Sequence, residues 1–123
     1  MAKGKVLLVE DDLNTCEMLS ALLKLRGFEV KTAADGARAL EILENLRPDV
    51  IVTDMKMPVI EGEQLIRAIR EKELLANVPV VVLTGFKKES VEAAFAAGAT
   101  EVLEKPMGVT QLVATIKHLL GHD

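Results

Sequence analysis

The run Val6-Leu7-Leu8-Val9-Glu10-Asp11-Asp12 sets the architecture. Four apolar side chains in a row, cut off by three acids, are too few for a buried helix. They read as a strand covered on both faces, as in a parallel sheet. Similar short runs recur at residues 28–32, 50–53, 80–83 and 102–103. The second and fifth are the weakest and suit edge strands.

Longer stretches of helical period separate these runs. The spacing predicts helices over about residues 14–26, 36–46, 62–75, 88–97 and 108–120. In the first, Met18, Leu19, Leu22, Leu23 and Leu25 form an apolar stripe. Asn14 and Glu17 have capping-box spacing, and Gly27 is placed to end the helix. The third carries Leu65, Ile66, Ile69 and Leu74. Five strand–helix units in succession require right-handed crossovers. The expectation is a three-layer, doubly wound α/β fold, with a parallel sheet and helices on both faces.

Composition narrows the function. With 123 residues the chain suits one domain, 1–123, with no output domain expected. Half of the residues are hydrophobic but only 2% are aromatic, so the core must be aliphatic. A net charge of −4 without a basic cluster argues against nucleic-acid binding. The single cysteine, Cys16, cannot form an internal disulfide and reads as a small, buried or half-buried helix residue. No apolar run approaches a membrane span, and a cytoplasmic location is expected. His118 and His122 lack ligand spacing and read as surface residues.

The polar residues fall in a pattern. Glu10, Asp11 and Asp12 follow the first strand and Asp54 follows the third. Thr84 closes the fourth strand and Lys105 follows the fifth. A parallel sheet puts all those ends on one edge, where open α/β sheets bind ligands. Clustered carboxylates repel, which raises their pKa values and favours a hard cation such as Mg²⁺. A neutralised carboxylate can attack phosphorus and form an aspartyl phosphate. Lys105, the Thr84 hydroxyl and backbone amides after Asp54 would then hold the phosphoryl oxygens. Each residue alone has a plainer reading: Thr84 as a structural threonine, Lys105 as a solvated loop lysine. Asp12, just before a helix, reads as its cap; Met55 and Met57 read as loop packing.

These segments resemble the receiver domains of two-component response regulators over essentially the whole chain. LLVEDD resembles the family's acidic pair, and TDMKMPVIEGEQL its phosphorylation loop, with Pro58 shaping the loop and Gly62 opening the third helix. VVLTG puts Thr84 at the switch hydroxyl position beside the small Gly85, and GATEVLEKPM ends in Lys105-Pro106. The resemblance implies strand order 2-1-3-4-5 and a cis peptide before Pro106. It implies Asp54 as phosphoacceptor and Mg²⁺, for which Mn²⁺ can substitute. Asp11 would bind the metal directly beside Asp54, Glu10 through water or as a support, and Lys56 through its backbone carbonyl. Lys56 and Phe86 would tune the lifetime of the phosphorylated state. The implied donor is a sensor histidine kinase or a histidine phosphotransfer protein. A downstream protein would dock on the fourth helix, fifth strand and fifth helix, where the alanine-rich fourth helix carries Phe95.

Val102 departs from the pattern, since the family usually has Tyr or Phe there. An aromatic that swings inward is therefore missing, which leaves two readings open: signalling through movement of residues 84–90, or a phosphoryl relay or sink. A Mg²⁺-dependent aspartyl-phosphate hydrolase is disfavoured, because its usual acid two residues after the nucleophile is replaced by Lys56. A receiver that signals without phosphorylation is disfavoured because the acids and the lysine are all present.

Overall fold

A computed structural model of the chain describes residues 3–56, 60–85 and 88–122. Five strands, β1 (Lys5–Val9), β2 (Glu29–Ala33), β3 (Val50–Asp54), β4 (Val80–Thr84) and β5 (Glu101–Glu104), alternate with five helices. These are α1 (Leu13–Leu25), α2 (Gly36–Leu43), α3 (Gly62–Glu71), α4 (Lys88–Ala97) and α5 (Val109–Leu119). All strand pairs are parallel, in the order 2-1-3-4-5. The two weakest runs are the two edges, as their mixed burial requires.

The continuous apolar runs divide by period two. Leu7, Val9, Ile51, Val80 and Val82 face α2, α3 and α4, packing with Ile42, Leu65, Ile66, Ile69 and Ala94. Val6, Leu8, Val50, Val52, Val81 and Leu83 face the other way, onto Leu19 and Leu23 of α1 and Leu112 and Ile116 of α5. A strand with a helix on each face has no solvent side, so both parities are apolar.

Several sequence expectations change. Asp12 caps α1, as its place before the helix implied, and the Asn14–Glu17 capping box does not form: the Asp12 Oδ1 accepts from the Asn14 and Thr15 amides at 3.0 and 3.4 Å. Asp12 precedes the first helical residue, so its carboxylate reaches the orphan amides that Asn14, already inside the helix, cannot. Met18 and Leu25 leave the apolar stripe at 54% and 80% exposure, while Cys16 and Ser20 enter it. Gly27 does end α1, with φ +97°; its amide donates to Lys24 O and that of Phe28 to Leu23 O. Helix α2 stops at Leu43 rather than 46. Helix α3 stops at Glu71, because Lys72 is extended and a separate 3₁₀ turn covers Glu73–Leu75. Leu74 is consequently exposed and Leu75 buried.

Candidate phosphoryl-transfer site

Strand register assembles the site. Val9 pairs with Thr53, so Glu10 stands level with Asp54 at the point where strand order reverses. Asp54 pairs with Leu83, and Thr84 pairs with Glu104, one residue before Lys105. Four separate segments thus end on one rim.

Helix starts hold that rim in place. The Asp12 cap begins α1 directly behind the acid pair. Gly62 begins α3 against the end of β3, its amide donating to Met55 O at 2.9 Å. A Cβ at Gly62 would lie 2.5 Å from Asp54 O, a distance no side chain tolerates, so this close approach requires glycine.

Asp54 has both carboxylate oxygens occupied. Oδ1 accepts from the Met55 amide at 3.0 Å, and Oδ2 accepts from Lys105 Nζ at 2.7 Å. Lys105 Nζ also lies 3.8 Å from Glu10 Oε1. Burial alone would lower the lysine's pKa; the bond to Asp54 and the charges of Asp54, Glu10 and Asp11 leave it raised. Glu10, only 5% exposed, is pushed up to about 7. Burial is the main cause, followed by its hydrogen bond with Asp54 and the charges of Asp54 and Asp11, against which Lys105 acts.

One carboxylate oxygen from each of Glu10, Asp11 and Asp54 lies within 4.8 Å of the others. Opposite ligands of an octahedral ion bound at 2.0–2.1 Å stand about 4 Å apart, so the trio can close on one cation with small side-chain rotations. The donors are all oxygen, which suits a hard divalent ion. Among the described residues one ammonium, that of Lys105, faces these three acids, and burial more than their mutual charge raises Glu10 to about 7.

Beside the acids lies a cavity of about 260 Å³, bordered by Asp54, Lys56, Thr84, Gly85 and Lys105, with Ser90 of α4 on its wall. Thr84 is buried, and its hydroxyl makes no hydrogen bond among the described residues. The Lys105–Pro106 peptide is cis, and the Lys105 amide donates to Thr84 O at 2.7 Å. Val102 is half-buried on β5 and packs toward the core beneath α4. The expectations for Met57, Pro58 and Phe86 lie outside the described residues. Sequence reasoning passed over Ser90. Its one available cue was position: α4 starts a few residues after Thr84, on the same rim.

A family model for the response regulator receiver domain matches residues 6–117. The chain belongs to the response regulator receiver domain family. This receiver domain is 43% identical over 123 residues to the transcriptional regulatory protein PrrA of Mycobacterium leprae, covering 98% of the chain and 51% of PrrA. It is 38% identical to a CpxR homologue, also named a transcriptional regulatory protein, of Haemophilus influenzae, covering 95% of the chain and 50% of that protein. The receiver domain therefore spans about half the length of the regulators it matches. Among solved structures, chemotaxis response regulator CheY4 of Vibrio cholerae superposes with a TM-score of 0.89 at 37% identity, covering 97% of this chain and 98% of CheY4. The receiver domain of the sensor histidine kinase PA1611 of Pseudomonas aeruginosa gives 0.90 at 31%, covering 98% and 99%. That structure has a magnesium ion coordinated in its active-site cleft. Receiver domains are signalling domains rather than enzymes with turnover on a substrate. No helix among the described residues is long and apolar enough to cross a membrane.

Proposed function

We propose that Asp54 accepts a phosphoryl group from a partner's phosphohistidine and that the phosphorylated state is the signal. One observation carries this reading: a carboxylate bound to an ammonium at 2.7 Å sits beside two further acids and opens onto a cavity bordered by the Thr84 hydroxyl, which makes no hydrogen bond among the described residues. An Asp54 oxygen attacks phosphorus, a P–O bond forms, the P–N bond breaks and the imidazole leaves with the electron pair. Lys105 leaves its contact with the bare carboxylate for a phosphoryl oxygen, and the Thr84 hydroxyl donates to another.

Asp11 and Asp54 would hold Mg²⁺ or Mn²⁺, with Glu10 acting through water or as support and the Lys56 carbonyl as a further ligand. Such an ion neutralises the acids and screens the phosphoryl charge against the attacking carboxylate. The donor is a sensor histidine kinase or a histidine phosphotransfer protein, acting in the cytoplasm. The readout face is α4, β5 and α5, where Phe95 is 47% exposed.

A complete switch takes about 5.5 kcal/mol of differential binding. Hydrogen bonds to charged groups give roughly 1.5–3 kcal/mol each, so Thr84, Lys105 and an amide or two suffice without a moving aromatic. Val102 keeps a second reading in play, a phosphoryl relay or sink, because nothing at that position can swing inward. Whichever holds, the first step is common. Incubation with Mg²⁺ and acetyl phosphate should add one acid-stable, base-labile phosphoryl group by mass spectrometry. Asp54→Asn should abolish it; labelling that survives would mean another residue is the acceptor.

A further inference from the structure

Ser90, in the first turn of α4, borders the cavity above Asp54 and has no assigned role. It is half-buried, and its hydroxyl makes no hydrogen bond among the described residues. A second cavity of about 210 Å³ begins where the first ends. Met55, Lys56 and Ser90 border both, and Glu61, Glu63 and Glu89 line the second. Ser90 thus stands at the junction between the reacting space and an acid-lined, open groove. Phosphate is not drawn along a wall of carboxylates; water is.

Size supports the same assignment. Liquid water occupies about 30 Å³ per molecule, so a 260 Å³ cavity keeps room for water after a phosphoryl group enters. Thr84 and Lys105 approach that group from the strand ends. Ser90 approaches from the helix across the cavity, where a hydroxyl can accept a hydrogen from an incoming water.

We propose that Ser90 positions the water that hydrolyses the phosphoryl group on Asp54, and so limits the lifetime of the phosphorylated state. This rests on Asp54 being the phosphoacceptor. The water oxygen forms a bond to phosphorus, the bond between phosphorus and the Asp54 oxygen breaks, and Asp54 returns as carboxylate. Inorganic phosphate leaves, carrying the oxygen of the water, whose surplus proton passes to solvent. The serine hydroxyl orients and takes no proton, which makes Ser90 a positioning residue rather than a catalytic one.

The test labels the intact chain with acetyl phosphate and Mg²⁺, removes the acetyl phosphate and follows loss of the phosphoryl group by mass spectrometry. Ser90→Ala should slow the loss about two- to twelve-fold, the worth of one hydrogen bond in the barrier. Its thermal midpoint should match the wild type, and Ser90→Thr should restore the rate. Unchanged or faster loss in Ser90→Ala overturns the proposal. So does slowing that Ser90→Thr leaves uncorrected, or slowing that comes with a lowered midpoint, which would mark a structural residue. A wild-type chain that takes no label at Asp54 removes the premise instead, a failure visible before any serine variant is made.

Discussion

Glu10 is a carboxyl group almost entirely out of water, facing Asp54, Asp11 and Lys105. Its pKa rises from 4.5 to about 7 in the folded chain, so the folded state binds its proton more tightly than the unfolded state does. That contribution to stability is complete below about pH 4.5 and is lost as pH rises through about 7. At about 1.4 kcal/mol per pKa unit, the loss amounts to roughly 3 kcal/mol once Glu10 is ionised. In the absence of divalent metal, denaturant unfolding across this window should show the decline, and Glu10→Gln should flatten it. A wild type and variant with the same pH profile would place the strain elsewhere. Residues of this kind were legible in the sequence because each ends an apolar run, and a run that stops at an acid marks a strand end. Ser90 was illegible for the converse reason. It sits inside a helix, where only three-dimensional packing shows which face meets the cavity.

At the scale of elements, helix type and order followed from apolar period, while boundaries followed from polar contacts that period does not encode. Arg70 is the clearest case. Its guanidinium donates to Gly98 O from Nε and Nη2 at 3.0 and 2.9 Å, and to Leu75, Ala76 and Val78 O from Nη1 at 3.1, 3.2 and 2.6 Å. It also reaches the Thr100 hydroxyl at 3.3 Å. One side chain thereby ties the end of α3 to the loops entering β4 and β5. Held carbonyls at 75, 76 and 78 turn the chain after Glu71, so Leu74 is exposed although it keeps the helical spacing. Deleting a charged donor that serves several half-buried carbonyls leaves them unsatisfied, at about 1–3 kcal/mol each before water relaxes the loss. Arg70→Leu should therefore destabilise the fold by about 3 kcal/mol in denaturant unfolding. Arg70→Lys should recover little, since an ammonium cannot span the same carbonyls. Both variants, while folded, should still take label at Asp54, because these contacts lie at the opposite end of the strands. Loss of labelling in folded protein would show that the two ends are coupled.

The whole molecule is two aliphatic cores on either face of one sheet, with its functional groups held apart from both on a single rim. Stability comes from the faces, and the rim subtracts from it while, among the described residues, three carboxylates share one ammonium. A cation that binds the folded rim and not the unfolded chain must therefore raise global stability, by about 1.4 kcal/mol at ten times its dissociation constant and about 2.7 kcal/mol at one hundred times. Thermal unfolding followed against Mg²⁺ should show a midpoint that climbs with concentration and follows that logarithmic form. Mn²⁺ should act likewise, since the same oxygen donors serve either ion. Asp11→Asn should remove most of the rise while leaving the metal-free fold intact, because the Asp11 side chain makes no hydrogen bond or ion pair among the described residues. A flat midpoint in the wild type would mean the acids do not gather a cation. An equal climb in Asp11→Asn would mean the ion binds somewhere other than this rim.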